Sequence, residues 1–225
     1  MGATDLEGIR LLAPLRPEQR RALAARCAWR RFAPGELILD RDSDNRDVLF
    51  VASGRVRVVN YAASGREIAY AVIEEGAHVG ELAALDGEPR SASVEAVDRC
   101  LIASLPSGPF HELLLANPEI AVTMLKTLAR VIRHSDVRIA ELSVLGAMQR
   151  VYRELSRLAQ PTPDGRAAVA PLPTQEALAA VVGSTRETVA RALGQLAKAG
   201  ITRRRGRELL ILDPDALEEL AEEEG

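Results

Sequence analysis

Aromatic side chains are scarce in this 225-residue chain: three Phe, three Tyr and one Trp make up 3% of it. A ring-filled core is excluded, so the interior has to be aliphatic, and stacking a guest on aromatic platforms is a poor fit. Cysteine stops at Cys27 and Cys100, too few and too far apart for a zinc site or a cluster. Both read as packing residues, and a reducing, cytoplasmic compartment is expected. No run approaches the ~20 apolar residues that span a bilayer. The N-terminus passes straight into acidic and polar residues without a secretory leader, so no membrane partner is expected. No set of catalytic residues stands out either, and the chain does not read as an enzyme. What remains is ordinary globular composition, 47% hydrophobic and 27% charged.

The net charge of −3 hides a separation. Between Ala147 and Leu212, eleven basic residues face five carboxylates, a surplus of +6, and the stretch from Asp213 onward adds seven acids. A basic segment inside an acidic chain points to a polyanionic partner for that segment alone.

The pattern changes twice along the chain. Residues 1–28 read as short helical turns, with Leu6, Ile9, Leu11 and Leu12 before Pro14, and Leu23 and Cys27 after Pro17. From Arg31 to Leu105 short β-rich segments follow: Glu36–Leu39, Val48–Val51, Arg55–Asn60, Glu67–Ile73, Ser93–Ala96 and Cys100–Ser104. Gly35, Gly54, Gly65, Gly76 and Gly87 fall at the turns, which predicts a small antiparallel barrel or roll. A long helix is expected from Asn117 to about Leu145. Met124, Leu128, Val131, Ser135, Arg138, Leu142 and Leu145 step by four and three along it, a heptad seam with a polar middle. A parallel helix pair in a homodimer accounts for that seam, and a monomer's amphipathic core helix competes with it.

Gly146 marks a hinge before a helix over Ala147–Ala159. A proline-rich loop follows over Gln160–Pro173, with a short strand at Ala167–Ala170. Then come a helix from Thr174 to about Val182, a turn at Gly183, a helix from Ser184 to about Ala199, and a hairpin through Arg203–Arg205, Gly206 and Glu208–Leu212. Helix, glycine turn, helix and β-hairpin describe a winged helix-turn-helix. The expected division is residues 1–116, 117–146 and 147–225, an α+β chain.

Two stretches carry the chemistry. Gly80-Glu81-Leu82, a tight loop containing Gly87 and Pro89, then Arg90-Ser91-Ala92 suits a guest with a ribose hydroxyl at one end and a phosphate at the other. Glu81 accepts from the hydroxyl, Arg90 presents a planar fork to phosphate oxygens, and small Ser91 and Ala92 let backbone N–H groups approach the anion. A surface hairpin with an incidental Glu81–Arg90 salt bridge is the competing reading. In the second stretch, Ser184-Thr185-Arg186-Glu187 reads as a capping box. Behind it Arg186, Glu187, Ala190 and Arg191 share a polar face, with Val189, Leu193 and Leu196 opposite. Arginine forks match guanine O6 and N7, and a carboxylate accepts from the cytosine amino group.

The first stretch resembles the phosphate-binding cassette of cyclic-nucleotide-binding domains. With Asn117-Pro118-Glu119-Ile120 and Gly183 through Arg191, the chain from about 30 to 212 resembles the family of the cyclic-AMP receptor protein, the Crp-Fnr regulators. The resemblance implies an N-terminal cyclic-nucleotide-binding β-roll (a double-stranded jelly roll), a long dimerisation helix and a C-terminal winged helix-turn-helix. It implies a homodimer on double-stranded DNA, with Arg186, Glu187 and Arg191 reading a TGTGA-type half-site of a pseudo-palindrome, Thr174 and Thr185 on phosphates, and RNA polymerase as a further partner. Ser184 and the wing residues Arg203, Arg204 and Arg205 complete the expected DNA-binding set. The acidic turn through which the receptor protein can touch polymerase is replaced by Ala62, Ala63 and Ser64, leaving the loop after Gln160 for that contact.

The family's effectors differ. An iron–sulfur centre would need cysteines that this chain lacks, and His78 has no convincing second ligand for haem, so no metal, haem or cluster is expected. By resemblance the base of a cyclic nucleotide meets Ser135 and Asp136, where the receptor protein has two hydroxyl residues. A carboxylate there can accept from guanine N1–H and its 2-amino group but meets the N1 lone pair of adenine, a difference of roughly 1–3 kcal/mol. Cyclic GMP is therefore expected over cyclic AMP, against a reading in which Asp136 faces solvent beside Arg133 or Arg138. Gly146 replaces a helix-capping aspartate of the receptor protein, which suggests a looser hinge. The acidic tail has no expected role beyond solubility.

Overall fold

A computed structural model describes residues 5–61, 67–162 and 166–222. Gly65 and the Ala62–Ser64 turn lie outside them, as do residues 163–165. The chain divides into two compact units, Met1–Ile132 and Arg133–Gly225, so the boundary falls inside the long helix rather than at its ends.

The first unit opens with buried Leu6, Ile9, Leu11, Leu12 and Leu15 around a tight turn at Arg10–Leu12, then helix α1 (Pro17–Ala24), which starts on a proline whose missing N–H costs nothing there. Strands β1 (Ala28–Phe32), β2 (Leu37–Leu39), β3 (Val48–Ser53), β4 (Arg55–Tyr61), β5 (Glu67–Glu74) and β6 (His78–Val79) follow. After them come α2 (Glu81–Asp86), β7 (Ser93–Ala96), β8 (Cys100–Leu105), α3 (Ser107–Ala116) and the start of α4 (Pro118–Val144). Two antiparallel four-stranded sheets, β1-β8-β3-β6 and β2-β7-β4-β5, form the roll.

Phe32, Leu39, Leu49, Val51, Val56, Val94 and Ile102 fill the space between the sheets. The outer face of the first sheet, through Val48, Phe50, Ala103 and Leu105, packs under Leu12, Phe110, Ile120 and Met124. Val48-Leu49-Phe50-Val51 is therefore buried on both faces and shows no alternation. Each large side chain so buried stabilises the fold by roughly 1.5–3 kcal/mol. β1 was not expected, because Trp29-Arg30-Arg31 lacks apolar alternation. It is an edge strand held by β8, whose Ile102 stands opposite Arg30.

The second unit holds the end of α4, α5 (Ala147–Leu158), β9 (Gln160–Pro161), β10 (Ala167–Val169), α6 (Gln175–Val181), α7 (Arg186–Lys198), β11 (Thr202–Arg205), β12 (Glu208–Ile211) and α8 (Pro214–Glu222). The strands form one sheet in the order β11-β12-β10-β9. Val151, Leu155, Leu178, Val189, Ala192, Leu196, Ile211 and Leu217 make the core.

Leu217 belongs to the acidic tail, so the expectation that the tail only confers solubility is corrected. Asp213 Oδ1 accepts from the Ala216 N–H at 3.0 Å, Pro214 opens the helix, and Leu217 and Ala221 are buried while Glu218, Glu219 and Glu222 face outward. Two apolar residues four apart are enough to dock a helix whose other face is charged.

The expected heptad seam on α4 is also not a single face. Met124 is buried and Leu128 packs against the roll's core. Farther along, Arg138 donates to the Val181 carbonyl, and Glu141 pairs with Arg157 of α5. Val131 and Leu142 of the expected seam stay exposed, and beside them on another stripe so do Val122, Leu125 (64%), Ile132 (61%) and Ile139 (62%). At 100° per residue, that stripe lies roughly a third of a turn from the expected one.

Candidate functional site

Each unit holds a candidate site. In the first, Gly80 turns the chain from β6 into α2 with φ +87°, a left-handed conformation that glycine adopts without strain. The loop expected between Glu81 and Arg90 is in part a helix. Leu-Ala-Ala-Leu favours helix, and a second left-handed glycine, Gly87, ends it with its N–H on the Ala83 carbonyl. Glu81 stands at the first position of α2, half-buried. Burial pushes its carboxyl up, opposed by its own backbone N–H and by the charge of Arg90.

Arg90 is 3% exposed. Its Nη1 donates to the Gly80 carbonyl at 2.7 Å, and its Nη2 to Asn45 Oδ1 at 2.7 Å and the Asp47 carbonyl at 2.8 Å. A Cβ on Gly80 would stand 2.7 Å from Nη1 and 3.0 Å from the Asp47 carbonyl. The fork expected to face a phosphate is thus occupied by protein oxygens, which satisfy a cation that burial would otherwise destabilise. The expected competitor, a direct Glu81–Arg90 ion pair, is not among those of the described residues. One donor is left: Nε of Arg90 is buried without a hydrogen-bond partner. An orphaned guanidinium N–H fits an anionic oxygen, while the space left by the missing Cβ of Gly80 is taken by Nη1 itself. Of the neighbouring expected residues, Leu82 and Ser91 are exposed, while Ala92 is buried.

Asn45 and Asp47, in the loop between β2 and β3, had no place in the sequence reading. Asn45 Oδ1 accepts from both the Asp47 N–H, at 2.8 Å, and Arg90. The run Asp42-Ser43-Asp44-Asn45 signals a turn and nothing about a distant arginine. Ser135 and Asp136 stand exposed on α4, in the second unit.

His78, beside Gly80, is largely buried. Desolvation, aided by the positive charge of Arg10, pulls its pKa down to about 4. Burial raises the Cys27 thiol to about 11, and Cys100 is buried with its Sγ toward the Arg55 carbonyl, as befits packing residues.

In the second unit, Thr174 caps α6, its Oγ1 accepting from the Ala177 N–H at 3.1 Å. Gly183 (φ +63°) makes the turn, and the Ser184 N–H returns to the Ala179 carbonyl at 2.9 Å. That bond keeps Ser184 in the turn, so the cap of α7 is Thr185 alone and the expected Ser184–Glu187 capping box does not form. Thr185 Oγ1 accepts from the Thr188 N–H at 3.3 Å. The carboxyl of Glu187 is held below the usual range by its own backbone N–H and the Thr185 hydroxyl. Arg186, Glu187, Ala190 and Arg191 face outward over buried Val189, Ala192 and Leu196. Arg186 makes an exposed pair with Glu176 at 3.0 Å. Arg203, Arg204 and Arg205 stand exposed on β11.

Arg150, counted in the sequence only as one of the basic residues, links three backbone oxygens. Its Nη1 donates to Leu145 at 2.8 Å, its Nε to Val182 at 2.9 Å and its Nη2 to Gly183 at 3.4 Å. At the hinge Gln149 Oε1 reaches back to accept from the Gly146 N–H at 2.6 Å, while Gly146 offers no side chain to cap α5.

The family described as "Cyclic nucleotide-binding domain" matches residues 29–117, and "Crp-like helix-turn-helix domain" matches residues 149–220. The chain is similar to the CRP-like cAMP-activated global transcriptional regulator of Mycobacterium tuberculosis, 30% identical over 189 residues that cover 83% of this chain and 84% of the relative. It is also similar to the cyclic AMP receptor protein of Thermus thermophilus, 30% identical over 218 residues that cover 96% and 98%. Among solved structures, a mutant of CooA from Carboxydothermus hydrogenoformans shares the fold, with a TM-score of 0.80, 23% identity and 95% and 94% of the two chains covered.

Proposed function

The chain belongs to the family of Crp-type transcription regulators, which bind cyclic nucleotides and DNA, and we propose that it is a cytoplasmic homodimer working with RNA polymerase on a pseudo-palindromic, TGTGA-like operator, with cyclic GMP preferred over cyclic AMP. The single observation that carries the ligand half is Arg90, a buried guanidinium whose Nε has no hydrogen-bond partner. A phosphate oxygen supplies the missing acceptor, and Glu81 takes a ribose hydroxyl.

Ser135 and Asp136 read the base in this proposal. The carboxylate of Asp136 accepts from guanine donors and repels the adenine N1 lone pair. The relatives are named for cyclic AMP, which supports that nucleotide as the second reading. On the DNA side, Arg186 and Arg191 take guanine edges and Glu187 a cytosine amino group. The Thr174 hydroxyl, whose oxygen caps its helix, keeps a proton to donate to phosphate, and the Thr185 hydroxyl turns its proton from Glu187 to phosphate on binding. The effector acts by favouring the DNA-competent state over the resting one.

Calorimetry with both nucleotides tests the ligand assignment. Cyclic GMP binds at least fivefold tighter than cyclic AMP, and Asp136→Ala removes the preference. Equal or tighter binding of cyclic AMP to the unmodified protein overturns the guanine reading. Operator gel shifts that are complete without nucleotide would instead mark a constitutive regulator.

A further inference from the structure

Helix α4 carries a regular pattern on a face that the β-roll core does not use. Val122, Leu125, Ala129, Ile132, Asp136 and Ile139 follow one another by three, four, three, four and three residues, the a and d spacing of a heptad. Four of the six are large apolar side chains left exposed. They run about 25 Å along the helix. A stripe in this rhythm is self-complementary, because the same helix supplies both knobs and holes, and the occupant that fits it is the same stripe on a second copy in parallel. Its one interruption is a carboxylate. Asp136 takes an a position, with Ile132 before it, Ile139 after it and Ser135 on its flank.

We propose that Asp136 makes this seam self-repelling in the ligand-free protein, so that nucleotide binding and tight pairing of the long helices become one event. The inference rests on the dimer reading above. In a parallel pair about a two-fold axis, an a position meets its own copy, so two carboxylates face each other between layers of isoleucine. Like charges brought together in a partly dehydrated layer repel strongly.

Among the described residues Asp136 forms no hydrogen bond or ion pair. Arg138 is committed to the Val181 carbonyl, and Arg133, one turn back, stands exposed at a flanking position. A base that brings N–H donors into the layer replaces repulsion by two charge-assisted hydrogen bonds and tightens the dimer. By reciprocity, anything that tightens the dimer tightens the nucleotide.

Sedimentation equilibrium on the full chain without nucleotide tests this. Asp136→Asn lowers the dimer dissociation constant at least tenfold, and Asp136→Leu lowers it further. Raising sodium chloride from about 0.05 to about 1 M tightens the unmodified dimer but not the Asn variant, since salt of that strength screens charges beyond about 3 Å. Both variants replace an exposed side chain, so the fold is not at risk. Equal dissociation constants for the unmodified protein and the Asn variant overturn the proposal while leaving the dimer intact. Ile132→Asp separates the two ideas: it abolishes pairing if the stripe is the interface, undiminished pairing shows that the dimer forms elsewhere and overturns the proposal, and an unmodified chain that stays monomeric sinks the dimer reading itself.

Discussion

Arg90 and Arg186 are the same side chain used in opposite ways. Arg90 is sealed inside the first unit, with both terminal nitrogens on protein oxygens. Arg186 has a side chain 64% exposed and a single surface partner, Glu176. The network around Arg90 is thus part of the fold's own polar interior and is already largely satisfied by protein oxygens. The outer face of α7 is an addition to a finished core, since Val189, Ala192 and Leu196 hold the helix in place whatever stands on its outer side. A site of the first kind couples binding to stability. The second kind leaves the two independent, so its residues can change without endangering the domain.

The contrast breaks most readily at Arg90. Arg90→Ala strips a buried cation from three acceptors, of which Asn45 Oδ1 keeps only the Asp47 N–H, so unfolding free energy falls by about 2–4 kcal/mol and nucleotide affinity by at least about a hundredfold. Denaturant unfolding and calorimetry on one preparation read both, and loss of affinity with unchanged stability would show that the network is not structural.

Acid probes the same interior next. His78 has its pKa lowered to about 4 in the fold, so between the ordinary value near 6.5 and 4 the unfolded chain binds the extra proton. The stability His78 contributes is therefore complete above pH 6.5 and declines as pH falls toward 4, by on the order of 2–3 kcal/mol. Thermal unfolding from pH 7.5 to 4, compared with His78→Phe, isolates it: the variant lacks this part of the slope, and identical slopes would refute the assignment.

The smallest effects belong to the exposed face. Arg186→Ala weakens operator binding by about 1–3 kcal/mol, and removing its partner in Glu176→Ala shifts stability by less than about 0.5 kcal/mol. Neither moves the melting temperature appreciably, and a drop of several degrees in either would erase the distinction drawn here.

The two sites were unequally readable from sequence for the same physical reason. The face of α7 obeys helix periodicity, so its exposed and buried residues could be told apart, with Ala192 filling the place next to Leu193 in the core. In the cassette the residue types were readable but their state was not. Arg90 is held from Asn45 and Asp47, more than forty residues away, and no local pattern announces such a partner. Helix α2, too short to be stable alone, is fixed by Ala84 in the core and by two left-handed glycines. The acid-rich composition of α8 hid the spacing of Leu217 and Ala221. The long helix carried two apolar stripes, and spacing alone did not say which one the β-roll would take.

Arg150 has a mechanical consequence. By joining the Leu145 carbonyl, just past α4, to those of Val182 and Gly183, it brackets the hinge and the turn ahead of α7 together. Helix α7 extends about 20 Å beyond that bracket. A tilt of about 10° at the bracket therefore swings the far end of the helix by about 3.5 Å, so that a small rotation near Gly183 becomes a displacement of atomic size at Lys198.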